Sequence, residues 1–256
     1  MISCFTVTQE GRLGVLRRAV ADFCAQTVLD RELVIVHDAG RKLQEDVLCL
    51  AHERDGVPIR VLQVAGGQTL GALRNAALGA ARGDYVCQWD DDDRYHPRRL
   101  EAQLDALRGA KSDCSFLCDQ LHLFAEAREM YWDDWHDEPY PLNFAPGTLF
   151  GRRDALARYP DRRRGEDTAL VVSMLRQGRR FARLREQGYL HVYVFDGRNS
   201  FDQAHHAAIS LLRGFRAARL LRLETLLRQR IAEFDPPLGR FAMPYAGGTL
   251  VFGADA

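Results

Sequence analysis

The sequence predicts an α/β fold in which a mostly parallel sheet carries helices on both faces. Short β-branched runs alternate with helical periodicity over about the first ninety residues, glycines interrupt several of these segments, and 46% of the 256 residues are hydrophobic. A chain of this length buries a substantial core as one large domain or two small ones. Lys+Arg and Asp+Glu both number 35, and this neutral balance argues against a nucleic-acid binder.

Four strands and three helices are predicted before an acidic segment at Asp90–Asp93. They are a strand at 2–8, a helix at 11–27, a strand at 32–38, a helix at 42–54, a strand at 59–64, a helix at 71–81 and a strand at 84–89. Carboxyl ends of parallel strands meet at one edge, so we expect the polar residues that follow these strands to converge on one crevice. These residues are Thr6, Thr8, Asp38 and Asp90–Asp93.

The second part of the chain has a less regular pattern. It predicts a helix at 97–107, a strand at 115–124, an aromatic and acidic loop at 131–146, a helix at 168–177 and a strand at 189–195. A long arginine-rich amphipathic helix at 207–234 follows and stops before Pro236. We therefore predict a domain at 1–205, with halves at 1–110 and 111–205, and a C-terminal helical extension at 206–256.

The predicted C-terminal helix carries an apolar face. Its members are Leu211, Leu212, Phe215, Leu220, Leu223, Leu226 and Leu227. Such a face packs on the chain's own core, on a second subunit in a homodimer, or peripherally on a membrane surface. Packing on its own core is the default expectation.

The six cysteines form no CxxC pair, and most stand in apolar runs, which is typical of reduced core residues in a cytosolic protein. No secretory signal precedes the first strand, and no stretch of about 18 apolar residues is present. These observations predict a cytoplasmic protein.

Four consecutive aspartates repel one another, and a cation removes that penalty. Asp90 and Asp92 can share one face of an extended segment, and their oxygens suit Mg²⁺ or Mn²⁺. A solvated acidic turn is the simpler alternative, although a buried strand immediately before the segment argues against it. An EF-hand is excluded because Tyr95 stands where that loop requires glycine.

The segment around these aspartates resembles a known family. The run GALRNAALGAARGDYV at Gly71–Val86, followed by Trp89–Asp93 and His96–Pro97, is similar to the glycosyltransferase family 2 pattern of the GT-A fold. In that family a glycine and an Arg-Asn pair open a helix, and a strand leads into the DxD motif. The resemblance extends over about residues 1–200 and is strongest at 66–104.

This resemblance implies roles for the residues of the donor half. Asp90 would contact the donor's ribose or its metal-bound phosphate, Asp92 would bind Mn²⁺ or Mg²⁺, and Asp91 would orient them or face the acceptor. Thr6, Thr8 and Asp38 would line the nucleoside pocket, with Arg74 nearby. His37–Gly40 departs from the family's usual carboxylate pair, which leaves the nucleotide base open.

The resemblance continues into the acceptor half. Residues 144–153 are similar to the family's acceptor-side strand, and Gly165–Leu170 to its Glu-Asp motif, in which the aspartate, here Asp167, is the general base. An aspartate at a helix start also caps free N–H groups, which is the structural alternative.

The segment after the last predicted strand holds further candidates. Near Asp196–Phe201, the family pattern implies that His205 or His206 supplies a third metal ligand and that Arg198 meets a phosphate. Adjacent histidines also occur on solvated helix starts. The aromatic side chains of the 131–146 loop can stack on a sugar or seal the core. They include Trp132, Trp135 and Tyr140.

The resemblance as a whole implies metal-dependent, inverting transfer of a sugar from a nucleotide-diphosphate donor to the hydroxyl of a glycan or other acceptor, in bacterial surface polysaccharide or glycan synthesis. A sugar-phosphate nucleotidyltransferase is an alternative, although Gln9–Leu13 has only one of the glycines of that class's loop. A catalytically inactive binding or assembly module is the non-enzyme alternative. The sugar, the base, the acceptor and the oligomeric state stay open.

Overall fold

The computed structural model describes residues 1–54, 56–141, 143–199, 202–213 and 217–253. Helices and strands alternate along most of the chain. In order they are β1 (Ile2–Val7), α1 (Leu13–Cys24), β2 (Arg31–His37), α2 (Arg41–His52), β3 (Ile59–Gln63), α3 (Leu70–Ala80), β4 (Tyr85–Gln88), β5 (Arg94–Tyr95), α4 (Arg99–Gly109), β6 (Cys114–Leu117), β7 (Asp119–Phe124), β8 (Glu129–Asp134), β9 (Phe150–Arg152), α5 (Glu166–Arg176), β10 (Phe181–Leu184), β11 (His191–Phe195), α6 (Gln203–Arg213), α7 (Ala217–Ile231), β12 (Phe241–Tyr245) and β13 (Gly248–Phe252).

The first sheet has seven strands in the order β10-β6-β9-β4-β1-β2-β3. All its pairs are parallel except those of β9, which runs antiparallel to both β4 and β6. Apolar clusters cover both faces of this sheet: α1, α2 and α4 pack on one, and α3 and α5 on the other. The predicted α/β fold class is therefore confirmed.

The strand predicted at 115–124 is wrong as one element, because it is divided between two sheets. β6 ends at Leu117 in the first sheet, and β7 begins at Asp119 in the second. Cys118 between them bonds to both sides: its N–H donates to Leu184 at 2.8 Å, and its carbonyl accepts from Trp135 at 2.8 Å. Apolar residues on both sides of the boundary predicted a single strand, and the polar pair Asp119–Gln120 stands where the chain changes sheet.

The second sheet has six strands in the order β13-β12-β8-β7-β11-β5. β7 and β8 form an antiparallel pair, and β11 runs parallel to β7. β8 extends to Asp134 and so overlaps the loop that the sequence predicted from Tyr131 onwards. The loop prediction is therefore wrong for residues 131–134. The acidic residues there obscured the strand, because aspartate is depleted in strands, although the apolar Met130 and Trp132 stand at alternate positions.

The predicted helix at 207–234 is helical, up to Ile231, over the parts that the structure describes. These are α6 (Gln203–Arg213) and α7 (Ala217–Ile231), while residues 214–216, with Phe215, and the side chain of Leu212 lie outside the described residues. Leu220, Leu223 and Leu227 are buried against the second sheet, as the default expectation had it.

The region after α7 is not helical, contrary to the predicted helical extension. β12 and β13 form a hairpin there, and β12 joins β8. Leu211 on α6 is 82% exposed. All six cysteines are free, and four of them are buried. Within the described ranges, no helix combines the length and the apolar character needed to span a membrane.

Candidate active site

The acidic segment Asp90–Asp93 follows β4, beside the carboxyl ends of β1 and β2 in the first sheet. Trp89, immediately before it, is fully buried and donates its indole N–H to the carbonyl of Ala19 at 3.0 Å. The hydroxyl of Tyr95, just after the acidic segment, donates to the carbonyl of Asp90 at 2.9 Å. The segment is therefore fixed at both ends by buried aromatic side chains.

Asp90 is held by Arg74 of α3 and by Gln88 of β4. Arg74 donates to Asp90 Oδ1 at 2.8 Å, and Gln88 donates to its Oδ2 at 2.9 Å. Burial by itself would raise the pKa of Asp90, but the charge of Arg74 and these hydrogen bonds lower it below its ordinary value. Asn75 makes two bonds to the Tyr159 backbone, at 2.8 and 2.9 Å, which tie α3 to the chain before α5.

Arg74 also connects Asp90 to the Glu-Asp pair at the start of α5. Its other terminal nitrogen donates to Glu166, so one guanidinium bridges two carboxylates. Burial raises the pKa of Glu166, and Arg74 opposes that increase. A Cβ at Gly71, one turn earlier, would collide with the carbonyl of Pro160, so only glycine allows α3 to approach so closely. The order of the Gly-Arg-Asn motif is explained by these contacts.

Asp91 and Asp92 share a different arginine, Arg12, from the loop between β1 and α1. Its Nη2 donates to Asp92 and lies 3.3 Å from Asp91 Oδ1. Burial first, and then the charge of Asp92, raise the pKa of Asp91 to about 8. Burial and the charge of Asp93 raise the pKa of Asp92 to about 7. Sequence reasoning missed Arg12, which stands eighty positions before its partner.

Asp93 connects the acidic segment to the second sheet. It accepts from the backbone N–H of Val194 at 3.0 Å and lies 2.8 Å from His191 Nε2, both on β11. Burial, followed by the charge of Asp90, raises the pKa of Asp93 to about 8. Burial and the charge of Arg99 lower the pKa of His191 well below its ordinary value. Both shifts favour an uncharged pair with the proton on Asp93.

Asp167 stands at the beginning of α5, across from Asp90. Its Oδ1 accepts from the backbone N–H of Thr168 at 2.6 Å, so it does have contacts of the capping kind. Its Oδ2 faces Gly147: a Cβ on that glycine would lie 4.0 Å from Oδ2 of both Asp167 and Asp90. The two carboxylates therefore border one small space, which a side chain at position 147 would occupy.

A cavity of about 480 Å³ lies between these elements. Its lining includes the acidic segment with Arg12 and Arg74, the start of α5 with the loop before it, and residues of the second sheet, of α6 and of the segments beside them. Those of the last group are Gln120, His122, Asp133, Trp135, His191, Tyr193, Asn199, His205, His206 and Ile209.

Five of these residues form what we call the polar wall, since they share one face of the second sheet: Gln120, His122, Asp133, His191 and Tyr193. The alternate residues of the same strands form the opposite, apolar face, which packs on α7. His122 Nδ1 lies 2.8 Å from Asp133 Oδ2, and both side chains are buried. Because a carboxylate only accepts, Nδ1 carries the proton, and His122 Nε2 has no hydrogen-bond partner among the described residues.

The polar wall was absent from the sequence prediction. A signal existed: Gln120-x-His122 and His191-x-Tyr193 are polar or amphipathic residues at every second position of otherwise apolar strands. The sequence analysis predicted strands in these two regions and assigned no role to the alternate residues, which the structure buries against the cavity. Trp135 also lines the cavity, whereas Trp132 belongs to the core against α7, and Tyr140 is exposed.

Several predicted donor residues do not line this cavity. Thr6 and Thr8 are buried at the end of β1, and the Thr8 hydroxyl lies beside Asp91. Asp38, after β2, accepts the backbone N–H of Gln68 at 2.9 Å. Arg198 is 66% exposed and donates to the carbonyl of Gly11 at 3.3 Å, so it contacts the loop that carries Arg12.

The predicted metal ligands Asp90, Asp92, His205 and His206 all line the cavity. They are not gathered into a metal-binding group: across the described ranges, no cluster of three or more His, Cys, Asp or Glu side chains is arranged to hold a metal ion. His206 is buried with its ring stacked on Tyr193 at 5.3 Å, and His205 is exposed in the first turn of α6. Ligation of a metal ion by His205 or His206 stays a prediction, and in this structure His206 packs among aromatic rings.

The profile of Glycosyl transferase family 2 matches residues 5–156, more than half of the chain. The chain belongs to this family. The predicted family is confirmed, and the match includes β1 to β9 with the acidic segment. No curated protein matches this glycosyltransferase in sequence.

Solved structures agree with this assignment at the level of the fold. S. aureus TarS 1-349 in complex with UDP-GlcNAc has a TM-score of 0.61 at 16% identity. The match covers 79% of this chain and 60% of the TarS chain. Mannosyltransferase PcManGT from Pyrobaculum calidifontis, in complex with GDP-Man and Mn²⁺, has a TM-score of 0.61 at 14% identity over 89% of this chain and 69% of that one. The fold is that of the GT-A glycosyltransferases.

Proposed function

We propose that this glycosyltransferase moves a sugar from a nucleoside-diphosphate donor to an acceptor hydroxyl with inversion at the anomeric carbon. One observation carries the proposal: Asp90 and Asp167 face each other across the space above Gly147, inside one cavity. A donor phosphate on the side of Asp90 and an acceptor hydroxyl on the side of Asp167 would bring the anomeric carbon between them. The UDP-GlcNAc and GDP-Man complexes of TarS and PcManGT support the donor class.

A divalent cation, Mn²⁺ or Mg²⁺, fits the acidic segment by the chemistry of its donors. Asp90 and Asp92 offer carboxylate oxygens to the cavity, and such hard ions need only one or two protein carboxylates when phosphate oxygens supply the rest. When bound, the cation would neutralise negative charge on the departing diphosphate. The Mn²⁺ in the PcManGT complex supports this assignment.

The remaining steps belong to side chains of this chain. Asp167 would accept the proton of the acceptor hydroxyl as its oxygen bonds to the anomeric carbon, while the bond from that carbon to the diphosphate oxygen breaks. Arg74 would keep Asp90 ionised and fixed, because it holds Asp90 and Glu166 together. The polar wall would meet the hydroxyls of the acceptor, with His122 Nε2 as one hydrogen-bond acceptor.

Two measurements test this function. In a thermal-shift panel of nucleoside diphosphates, we expect one base to raise the Tm in the presence of Mn²⁺ and not in its absence. With the sugar donors of that base, Asp167→Asn should keep the Tm shift. Its rate of sugar transfer to the acceptor, measured by the nucleoside diphosphate released, should fall by about 10²–10⁴-fold.

The matched control is Asp154→Asn, an exposed aspartate paired with Arg152 outside the cavity. It should release nucleotide like the wild type. Unchanged transfer by Asp167→Asn would assign Asp167 to helix capping and would remove the proposed base.

A further inference from the structure

Arg12 lies in an unusual place for an arginine next to a cation site. It follows Gly11, whose φ of +80° turns the chain out of β1, and it precedes the first residue of α1. Its side chain makes no capping bond to the helix. Instead it extends over the acidic segment and lines the cavity, with 17% of its side chain exposed.

The two arginines at the acidic segment are held differently. Arg74 is 7% exposed and is fixed between carboxylates of two different elements, Asp90 and Glu166. Arg12 forms its ion pairs with neighbouring residues of one segment, Asp91 and Asp92, and the loop residues before it, Gln9 to Gly11, are exposed. Arg74 is therefore a fixed part of the site, whereas the side chain of Arg12 can leave it without unpacking an element.

Arg12 and a divalent cation compete for the same ligand. Asp92 is the carboxylate to which the guanidinium donates, and it also accepts from Asn199 at 3.3 Å. Two positive groups at contact distance from one carboxylate repel each other strongly. A cation that binds Asp92 Oδ2, the oxygen to which Arg12 donates, must therefore displace Arg12. The displaced guanidinium, with its planar fork of donors, is suited to a phosphate.

We propose that Arg12 is an exchanging counter-charge: it pairs with Asp91 and Asp92 in the donor-free enzyme and moves onto the donor diphosphate when the cation takes Asp92. The diphosphate half of this inference rests on the proposed function. The competition with the cation rests only on the contacts of Arg12. The exchange would make the empty site a poor binder of the cation alone and a good binder of the cation together with a diphosphate.

The competition is tested with Mn²⁺ alone, titrated without nucleotide and followed by the electron paramagnetic resonance of free Mn²⁺. We expect Arg12→Gln to bind Mn²⁺ about tenfold more tightly than the wild type, because a competing positive charge is gone. Arg12→Lys keeps that charge and should stay within about threefold of the wild type. The control Arg17→Gln removes an arginine of α1 that pairs with Glu53 outside the cavity, and should not change the affinity.

The exchange is tested with the preformed Mn²⁺–pyrophosphate complex, which carries the diphosphate chemistry without a base or sugar. Arg12→Gln and Arg12→Lys should both bind this complex about tenfold more weakly than the wild type, since neither supplies the planar fork. Equal or weaker Mn²⁺ affinity in Arg12→Gln, or no Mn²⁺ binding to either protein, would overturn the proposal. Unchanged affinity for the pyrophosphate complex would overturn the exchange.

These readouts are separate from those of the proposed function. A urea unfolding curve for each variant shows whether it folds like the wild type before its affinities are compared. The Mn²⁺ titration measures Arg12 directly, whatever reaction the site performs. If no nucleoside diphosphate shifts the Tm but Arg12→Gln still binds Mn²⁺ more tightly, then the donor class fails and the competition stands.

Discussion

The acidic segment and the polar wall face the same cavity but are built in opposite ways. The acidic segment is four consecutive residues, and its charge is balanced by arginines from other elements, Arg12 and Arg74. The polar wall comes from the consecutive strands β7 and β8 and from β11, which is distant in the chain, and several of its members bond to one another or to α6. The first is a site in which one partner, Arg12, can be exchanged. The second is a surface whose side chains already hydrogen-bond to protein groups, with His122 Nε2 left for a ligand.

This difference separates two roles in the cavity. Charged groups with replaceable counter-ions suit a ligand that brings its own charge, such as a diphosphate with its cation. A preorganised hydrogen-bonded surface suits a neutral hydroxylated ligand, because its side chains are ordered before the ligand arrives. The two regions meet at one contact, where Asp93 of the acidic segment lies 2.8 Å from His191 of the polar wall.

The largest expected effect tests whether the acidic segment depends on its arginines. Arg74→Leu would leave the carboxylates of Asp90 and Glu166 in the cavity wall without their shared cation. Removal of one partner from a buried ion pair costs about 3–5 kcal/mol, and we expect a loss of unfolding free energy at the lower end, because Asp90 is 30% exposed. Urea denaturation measures it.

The control for this change is Arg41→Leu, which breaks a pair on the surface of α2 where the arginine is 91% exposed. Its unfolding free energy should match the wild type within error. If the two variants lost equal stability, the acidic segment would not depend on Arg74 as argued.

The next effect tests the internal satisfaction of the polar wall. His122→Phe keeps a ring of similar shape, which stacks on Phe124 at 4.7 Å, and removes the donor to Asp133. A buried group that loses its partner costs about 1–3 kcal/mol, and Asp133 retains Ser210 as a donor at 3.0 Å, so we expect about 1–2 kcal/mol by urea denaturation.

Tyr131→Phe is the matched control on the neighbouring strand, since it removes only a part-buried hydroxyl bond to Glu129. It should cost less than His122→Phe. The His122 variant should also keep the Mn²⁺-dependent Tm shift with nucleotide, because the polar wall is assigned to the acceptor. Loss of that shift would mean that the polar wall also contributes to nucleotide binding.

The smallest effect concerns the contact where the regions meet. In the folded protein the pKa of Asp93 is about 8, whereas an unfolded aspartate ionises near pH 4. Between these values the folded carboxyl keeps a proton that the unfolded chain releases, so this group makes stability fall as the pH rises. The lowered pKa of His191 gives the opposite slope, but only below its unfolded value of about 6.5.

We therefore expect Asp93 to contribute a decrease of about 1 kcal/mol per pH unit to the unfolding free energy of the metal-free protein between pH 6.5 and 7.5. Asp93→Asn should have a shallower slope, measured by urea denaturation at both pH values in a chelating buffer. Identical slopes in the two proteins would mean that Asp93 is already ionised at pH 6.5.

Much of the donor half was predictable because its signals are local. Between Gly71 and Asp93 the chain carries, in this order, a glycine that allows close helix packing, the anchoring side chains of Arg74 and Asn75, and the carboxylate of Asp90. A contact in the structure explains each of them. The boundary between β6 and β7 was not predictable, because the residues on both sides of Cys118 favour a strand. Only the pairing of neighbouring strands decides which sheet each part joins.

The amino-acid sequence by itself determined the α/β class, the family and the acidic segment with its Arg-Asn helix, since these depend on periodicity and on residues close together in the chain. The tertiary structure decided which charges meet. It brought Arg12 to Asp92 across eighty positions, turned His206 into a packed aromatic ring, and buried one polar face of the second sheet. Contacts of this kind depend on how sheets stack and where loops return, and no short-range pattern records that.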